Sequence, residues 1–224
     1  ILSADKVFVT LAEGTENTLA NGGSFIAIDE NNIDAVVFSK QDLTFNGTGN
    51  LIITSPNGNG IVGKDDLVFT GGNYTINTSS HGIEANDSVR ITGTTQITVD
   101  AGKDGIHCEN NDDTSLGFIY ISAGTLNIEA EGDGISASAY MQIVDGTFSV
   151  LAGGGSENGS SQSSNTWGAF MGGDMPPGQQ SSSNTATTED STSMKGIKTS
   201  GTLNIFSGSF QINSSDDCIH SNSS

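Results

Sequence analysis

A Gly-Ile dipeptide, or a near equivalent, recurs along this 224-residue chain: Ala35-Val36, Gly60-Ile61, Gly82-Ile83, Gly105-Ile106, Gly134-Ile135, Gly196-Ile197 and Cys218-Ile219. Successive anchors are 25, 22, 23, 29, 62 and 22 residues apart. A period of 20–30 residues is that of a solenoid, in which each repeat packs only on its neighbours. After each anchor comes an apolar pair at alternate positions: Leu43/Phe45, Leu67/Phe69, Val89/Ile91, Ile119/Ile121, Met141/Ile143 and Leu203/Ile205. A second pair follows: Leu51/Ile53, Tyr74/Ile76, Ile97/Val99, Leu126/Ile128, Phe148/Val150 and Phe210/Ile212. Alternation with period two in short runs predicts strands with one buried face.

Between the two pairs lies a Gly-rich corner, at Gly47-Thr48-Gly49, Gly71-Gly72, Gly124 and Gly208, where a tight turn favours glycine. Three short strands per turn with like residues stacked predict an all-β chain, a parallel β-helix. Parallel crossovers are overwhelmingly right-handed, so the helix is expected to be right-handed. Residues 1–224 read as one such domain, with a long loop inserted at 155–194 inside the 62-residue repeat. The first residues, Lys6-Val7-Phe8-Val9, are strand-like, which reads as a mature or trimmed start. The last turn is cut five residues after its anchor, and the chain is expected to continue beyond Ser224 or to be covered there, end-to-end self-association being one way.

Apolar residues make up 33% of the chain and aromatics 6%, which a β-helix tolerates because its core is a thin stack. Lys and Arg number 7 against 26 acidic residues, for a formal charge of −19. That balance argues against nucleic acid as a partner, since its binding rests on cationic side chains. It suits metal cations. No apolar run is long enough to insert in a membrane. Cys108 falls in line with Ala85 and Ala137 and reads as a free core residue. Cys218 lies three rungs away, about 14 Å, beyond disulfide reach.

Aligned on the anchors, polar residues form columns. Two residues before the anchor isoleucine stand Asp34, Asn59, His81, Asp104, Asp133, Lys195 and Asp217; one after it stand Val62, Glu84, His107, Ser136, Lys198 and His220; four after it stand Asp65, Asp87 and Asn110. Carboxylates stacked one rung apart repel unless a cation lies between them. Asp65 above Asp87, and Asp104 above Asp133 beside Glu84, are such pairs, and hard oxygen donors suit Ca²⁺. A solvated acidic edge is the alternative. Zinc suits the pattern less, because the histidines stand singly and do not join the cysteines. The insertion has Ser-rich flanks and an apolar centre, Trp167-Gly168-Ala169-Phe170-Met171. Trp167 and Phe170 could stack on sugar rings, or the loop centre could cover the helix flank.

The runs Ser39-Lys40-Gln41-Asp42-Leu43-Thr44, Gly60-Ile61-Val62-Gly63-Lys64-Asp65-Asp66-Leu67 and Asp216-Asp217-Cys218-Ile219-His220-Ser221-Asn222, with the Met175-Pro176-Pro177 loop, resemble the bacterial "carbohydrate-binding domain-containing protein" family of secreted β-helices. The resemblance covers essentially the whole chain. It implies kinship in fold with family-nine pectate lyases, bound calcium, and binding of polygalacturonate (pectin) or cellulose without lyase activity. In the related lyases two adjacent aspartates and a third carboxylate hold calcium; Asp216-Asp217 matches the adjacent pair, and His220 stands in the third place.

Three functions follow as expectations. The first is calcium-dependent, non-catalytic binding of an acidic polysaccharide, extracellular or at the cell surface, with Lys103, Lys195 and Lys198 beside Trp167 and Phe170 as sugar contacts. The second is a structural surface or filament protein. The third is a calcium-dependent lyase with one of those lysines as base.

Overall fold

The computed structural model describes residues 1–23, 25, 33–159 and 193–223. Trp167, Phe170 and most of the predicted insertion lie outside the described residues. The chain winds as a right-handed parallel β-helix of three seven-stranded sheets. The first sheet stacks Lys6–Leu11, Asp42–Gly47, Asp66–Phe69, Ser88–Ile91, Phe118–Ile121, Met141–Ile143 and Leu203–Ile205. The second stacks Glu16–Ala20, Asn50–Ser55, Asn73–Thr78, Gln96–Ala101, Thr125–Ala130, Thr147–Ala152 and Ser209–Ser214. The third stacks Ala35–Ser39, Asn59–Gly63, Ile83–Ala85, Ile106–Cys108, Ile135–Ala137, Ile197–Thr199 and Ile219–Ser221. Among the described residues the helical element is a single 3₁₀ turn, Ser156–Asn158.

Both predicted sets of apolar pairs enter the core, from Leu43 to Val150 without exception. In the last turn Leu203, Phe210 and Ile212 are half-buried, and Ile205 is exposed. Stacking is like on like: Phe45 lies on Phe69 with ring centroids 5.1 Å apart, and Phe148 on Phe210 at 4.6 Å. Such face-to-face columns follow from the register, which sets equivalent residues directly opposite in adjacent turns. Gly124 and Gly208 turn the corner between the first two sheets at φ of 127° and 128°, where a side chain would be strained.

The anchor glycines have a different cause. A Cβ on Gly60, Gly82, Gly105 or Gly134 would come within 2.5–2.7 Å of the carbonyl oxygen of the anchor glycine in the next turn. The third sheet stacks so closely at this position that no side chain fits. The Gly-Ile repeat therefore records a close approach of backbones rather than a turn conformation.

The first anchor is corrected by one residue. Val37, not Val36, pairs with Ile61, and Ala35 pairs with Asn59. No glycine marks this turn, and two valines in a row satisfy the apolar pattern in either register; hydrogen bonding selects between them. Cys108 is buried, in register with Ala85 and Ala137 as expected, while Cys218 is exposed; neither is in a disulfide. Burial pushes the Cys108 thiol up, out of its usual range.

Candidate functional site

The polar column before the anchors is a hydrogen-bonded ladder. The Asn59 side-chain oxygen accepts from the backbone N–H of His81 at 2.9 Å, and Nδ1 of His81 accepts from the N–H of Asp104 at 3.3 Å. Asp104 Oδ1 accepts from the N–H of Asp133 at 2.8 Å, and Asp133 Oδ1 from the N–H of Lys195 at 2.7 Å. Each side chain thus satisfies the backbone donor of the equivalent residue one turn on. Those donors sit just before the third sheet and would otherwise be left without a ladder partner.

The second oxygen of each acid meets a basic side chain of the protein itself. Asp104 Oδ2 lies 2.7 Å from Nδ1 of His107, and Asp133 Oδ2 lies 2.9 Å from Nζ of Lys198. Glu84 is held by Lys64 at 3.1 Å and by the Asn59 amide at 3.0 Å. Lys195 contacts Asp216 closely and Asp217 at 3.7 Å, and His220 closes on Asp217 at 2.8 Å. A calcium ion between Asp104 and Asp133, as expected from their column, would compete with these contacts. From the neighbouring column, three residues along the chain, His107 of the same turn pairs with Asp104 and Lys198 of the next turn with Asp133. Burial works to raise Asp104, yet the His107 contact and charge hold its carboxyl below the usual range. Burial works against a charged Lys195, but the bond to Asp216 raises it overall.

Asp65 and Asp87 behave otherwise. They flank the paired residues Asp66 and Ser88 in adjacent turns. Burial, a side-chain contact with Asp87, and the charges of Asp42, Asp87 and Asp66 all raise the Asp65 carboxyl. Asp87 also accepts from the Asn110 amide at 3.0 Å. Here carboxylates meet carboxylates, which is the donor chemistry Ca²⁺ takes. Of the seven predicted metal ligands, these two form a group whose mutual repulsion is not relieved by a lysine or histidine contact. Lys103, a predicted sugar contact, is exposed beside the ladder; Lys195 and Lys198 are spent on carboxylates.

Two features escaped the sequence. First, His81 and His107 meet, with ring centroids 4.6 Å apart, so the histidines are not single. They border a cavity of about 380 Å³ with Glu84, Glu109 and the loop residues Asn110 to Asp112. The spacing of 29 residues, against 22 and 23 in the two preceding turns, was the signal that a loop lies here.

Second, the outer face of the first sheet carries aromatic rings. Phe118 and Tyr140 stack with centroids 4.7 Å apart and planes 7° from parallel, and the Arg90 guanidinium lies 5.2 Å above Phe118. With Tyr120 and Gln142 they line a shallow concavity of about 340 Å³. The sequence signal was the outward alternation of Phe118 and Tyr120 around Ile119 and Ile121.

The chain is 36% identical over 156 residues to a "Carbohydrate-binding domain-containing protein" of Acetivibrio thermocellus, an alignment covering 69% of this chain and 54% of the relative. It therefore spans about half the length of that curated relative. Among solved structures, a polysaccharide lyase-like protein from C. thermocellum, a gadolinium derivative, superposes with a TM-score of 0.67 at 28% identity, over 93% of this chain and 70% of the other. The family model described as "Carbohydrate-binding domain-containing protein" matches residues 1–224, and the chain belongs to that family.

Proposed function

We propose that this protein binds a polysaccharide without cleaving it, along the outer face of its first sheet, with Ca²⁺ held at Asp65 and Asp87. The observation that carries the reading is the Phe118–Tyr140 platform, flanked by the donors and acceptors of Arg90, Tyr120 and Gln142. A flat apolar surface with polar groups at its edge suits a pyranose ring, whose faces are apolar and whose rim carries hydroxyls. The row of Asp66, Ser88 and Phe118 is continuous in the register, so the acidic pair lies along the same sheet as the rings.

A cation at Asp65 and Asp87 would relieve their repulsion and could bridge to a uronate carboxylate, which makes an acidic polymer such as polygalacturonate the favoured ligand. The C. thermocellum neighbour is a gadolinium derivative, and Gd³⁺, like Ca²⁺, is a hard ion suited to oxygen donors. Half-buried sites with few protein ligands match the weak calcium affinities of extracellular modules, about 10⁻⁴–10⁻³ M, which fits a place outside the cell or at its surface. A lyase base needs a lowered pKa. Lys195 is raised and Lys198 is bonded to Asp133, which supports a binding role.

The test is titration of polygalacturonate and of a neutral β-glucan oligosaccharide into the protein, with calcium and with chelator. The paired change F118A/Y140A should weaken binding about tenfold or more. Chelation should weaken polygalacturonate binding, and calcium but not sodium should restore it. Binding indifferent to both rings would move the site elsewhere on the helix.

A further inference from the structure

His81, Asp104 and His107 form a compact cluster that the calcium reading does not use. Each offers one ligand atom, and these atoms all lie within 4.8 Å of one another. Asp104 Oδ2 is 2.7 Å from Nδ1 of His107 and 3.8 Å from Nδ1 of His81. An ion with bonds of about 2.0 Å in tetrahedral geometry sets its donors about 3.3 Å apart, between those two separations. The third edge, between the two imidazoles, is within 4.8 Å, and side-chain rotations would bring all three edges to that length.

The surroundings resemble the supports of a metal centre. Oδ1 of Asp104 is fixed by the backbone N–H of Asp133 at 2.8 Å, which aims Oδ2 at the two imidazoles. Nε2 of His107 lies 3.3 Å from Oε2 of Glu109. A ligating histidine that gives its far N–H to a carboxylate has its tautomer and ring orientation set for metal on the near nitrogen. Nδ1 of His81 accepts the backbone N–H of Asp104 at 3.3 Å, the longest bond of the ladder and the one an ion would displace. The three side chains are 14–22% exposed, dry enough to hold an ion and open on one side to the 380 Å³ cavity.

We propose that His81, Asp104 and His107 bind one Zn²⁺ ion, with its fourth position open to the cavity. Two imidazole nitrogens and one carboxylate form a donor set for zinc rather than for calcium, which takes oxygens alone. The open position takes water or an oxygen of a ligand entering the cavity beside Glu84 and Lys64. Asp217 and His220 repeat the Asp-to-His spacing of Asp104 and His107 at 2.8 Å, but with a single imidazole, and serve as an internal comparison.

The experiment uses the full chain, stripped with chelator and titrated calorimetrically with ZnCl₂ at physiological salt, alongside the visible spectrum of the Co²⁺-loaded protein. Wild type should take one zinc per chain with Kd on the order of micromolar or tighter, and cobalt should give d–d bands typical of nitrogen and oxygen ligands. Glu109→Gln should weaken zinc about tenfold, and His107→Ala more than that. His220→Ala and the pair D65N/D87N should leave zinc unchanged. The cobalt spectrum needs no variant, so it stands even if His107→Ala unfolds. Substoichiometric zinc in the wild type, a cobalt spectrum like that of the aquo ion, or equal loss on changing His220 would each overturn the site.

Discussion

The backbone N–H of Asp133 donates to Oδ1 of Asp104 at 2.8 Å, although the two residues are both acidic and stand one turn apart. Side-chain charge and ladder geometry are thereby separated, since one oxygen of each acid serves the backbone and the other a basic side chain. Asp133 is 2% exposed and bonds both the Lys195 N–H and Nζ of Lys198. Replacing it by alanine strands a buried backbone donor and frees an ammonium, so Asp133→Ala should cost about 2–4 kcal/mol. Asp133→Asn keeps an oxygen for the Lys195 N–H and should cost less. Urea unfolding of both variants measures the difference; equal costs would mean that the ladder bond contributes nothing.

The anchor glycines are required by space. A Cβ on Gly105 would overlap Cγ2 of Ile128 and come 2.7 Å from the Gly134 carbonyl oxygen, the same oxygen that accepts from the N–H of Ile106 at 3.0 Å. Gly105→Ala should therefore destabilise by about 2–3 kcal/mol through overpacking, a fall in Tm on the order of 5–10 °C. Gly22, where an added Cβ meets nothing within 4 Å, is the control and should tolerate alanine. A Tm unchanged in Gly105→Ala would show that adjacent turns can slide apart at little cost.

Asp65 supplies a pH signature. Burial and the neighbouring carboxylates raise its folded pKa above the ordinary 3.8. The folded protein then holds this proton more tightly than the unfolded chain, so ionisation of Asp65 works against folding. The penalty is complete above the raised folded value, shrinks as pH falls through it, and is absent below the unfolded value. In chelator at neutral pH, Asp65→Asn should raise Tm slightly, on the order of 1–2 °C, and the gain should vanish near pH 3. Added calcium should stabilise the wild type and not the variant, because it binds the folded form alone. A variant that melts lower than wild type in chelator at neutral pH would show that the carboxylate is not under repulsion.

Much of the site was legible because a solenoid converts position in a repeat into position in space. The column of Glu84, His107, Ser136 and Lys198 is the observed register of the third sheet, residue for residue. The approach of Asp65 to Asp87 was readable in the same way. Alignment alone could not say which neighbour each side chain would choose. Asp104 turns to His107 in its own turn, and Asp133 to Lys198 one turn on. Those choices depend on side-chain length and rotamer, which a column of letters does not carry.

The amino-acid order by itself determined the number of sheets, the inward pairs, the Gly-rich corners and the free state of both cysteines, because each depends on local alternation or on whole-rung distances. Tertiary structure decided the rest. It set the first anchor at Val37, since two adjacent valines fit the core pattern equally and hydrogen bonding alone separates them. It brought His81 to His107 and Phe118 to Tyr140 by stacking turns that are 22 or more residues apart in the chain. Contacts of that kind are made between rungs, where a difference of an ångström in side-chain reach decides whether an acid meets a cation, a backbone N–H or another acid.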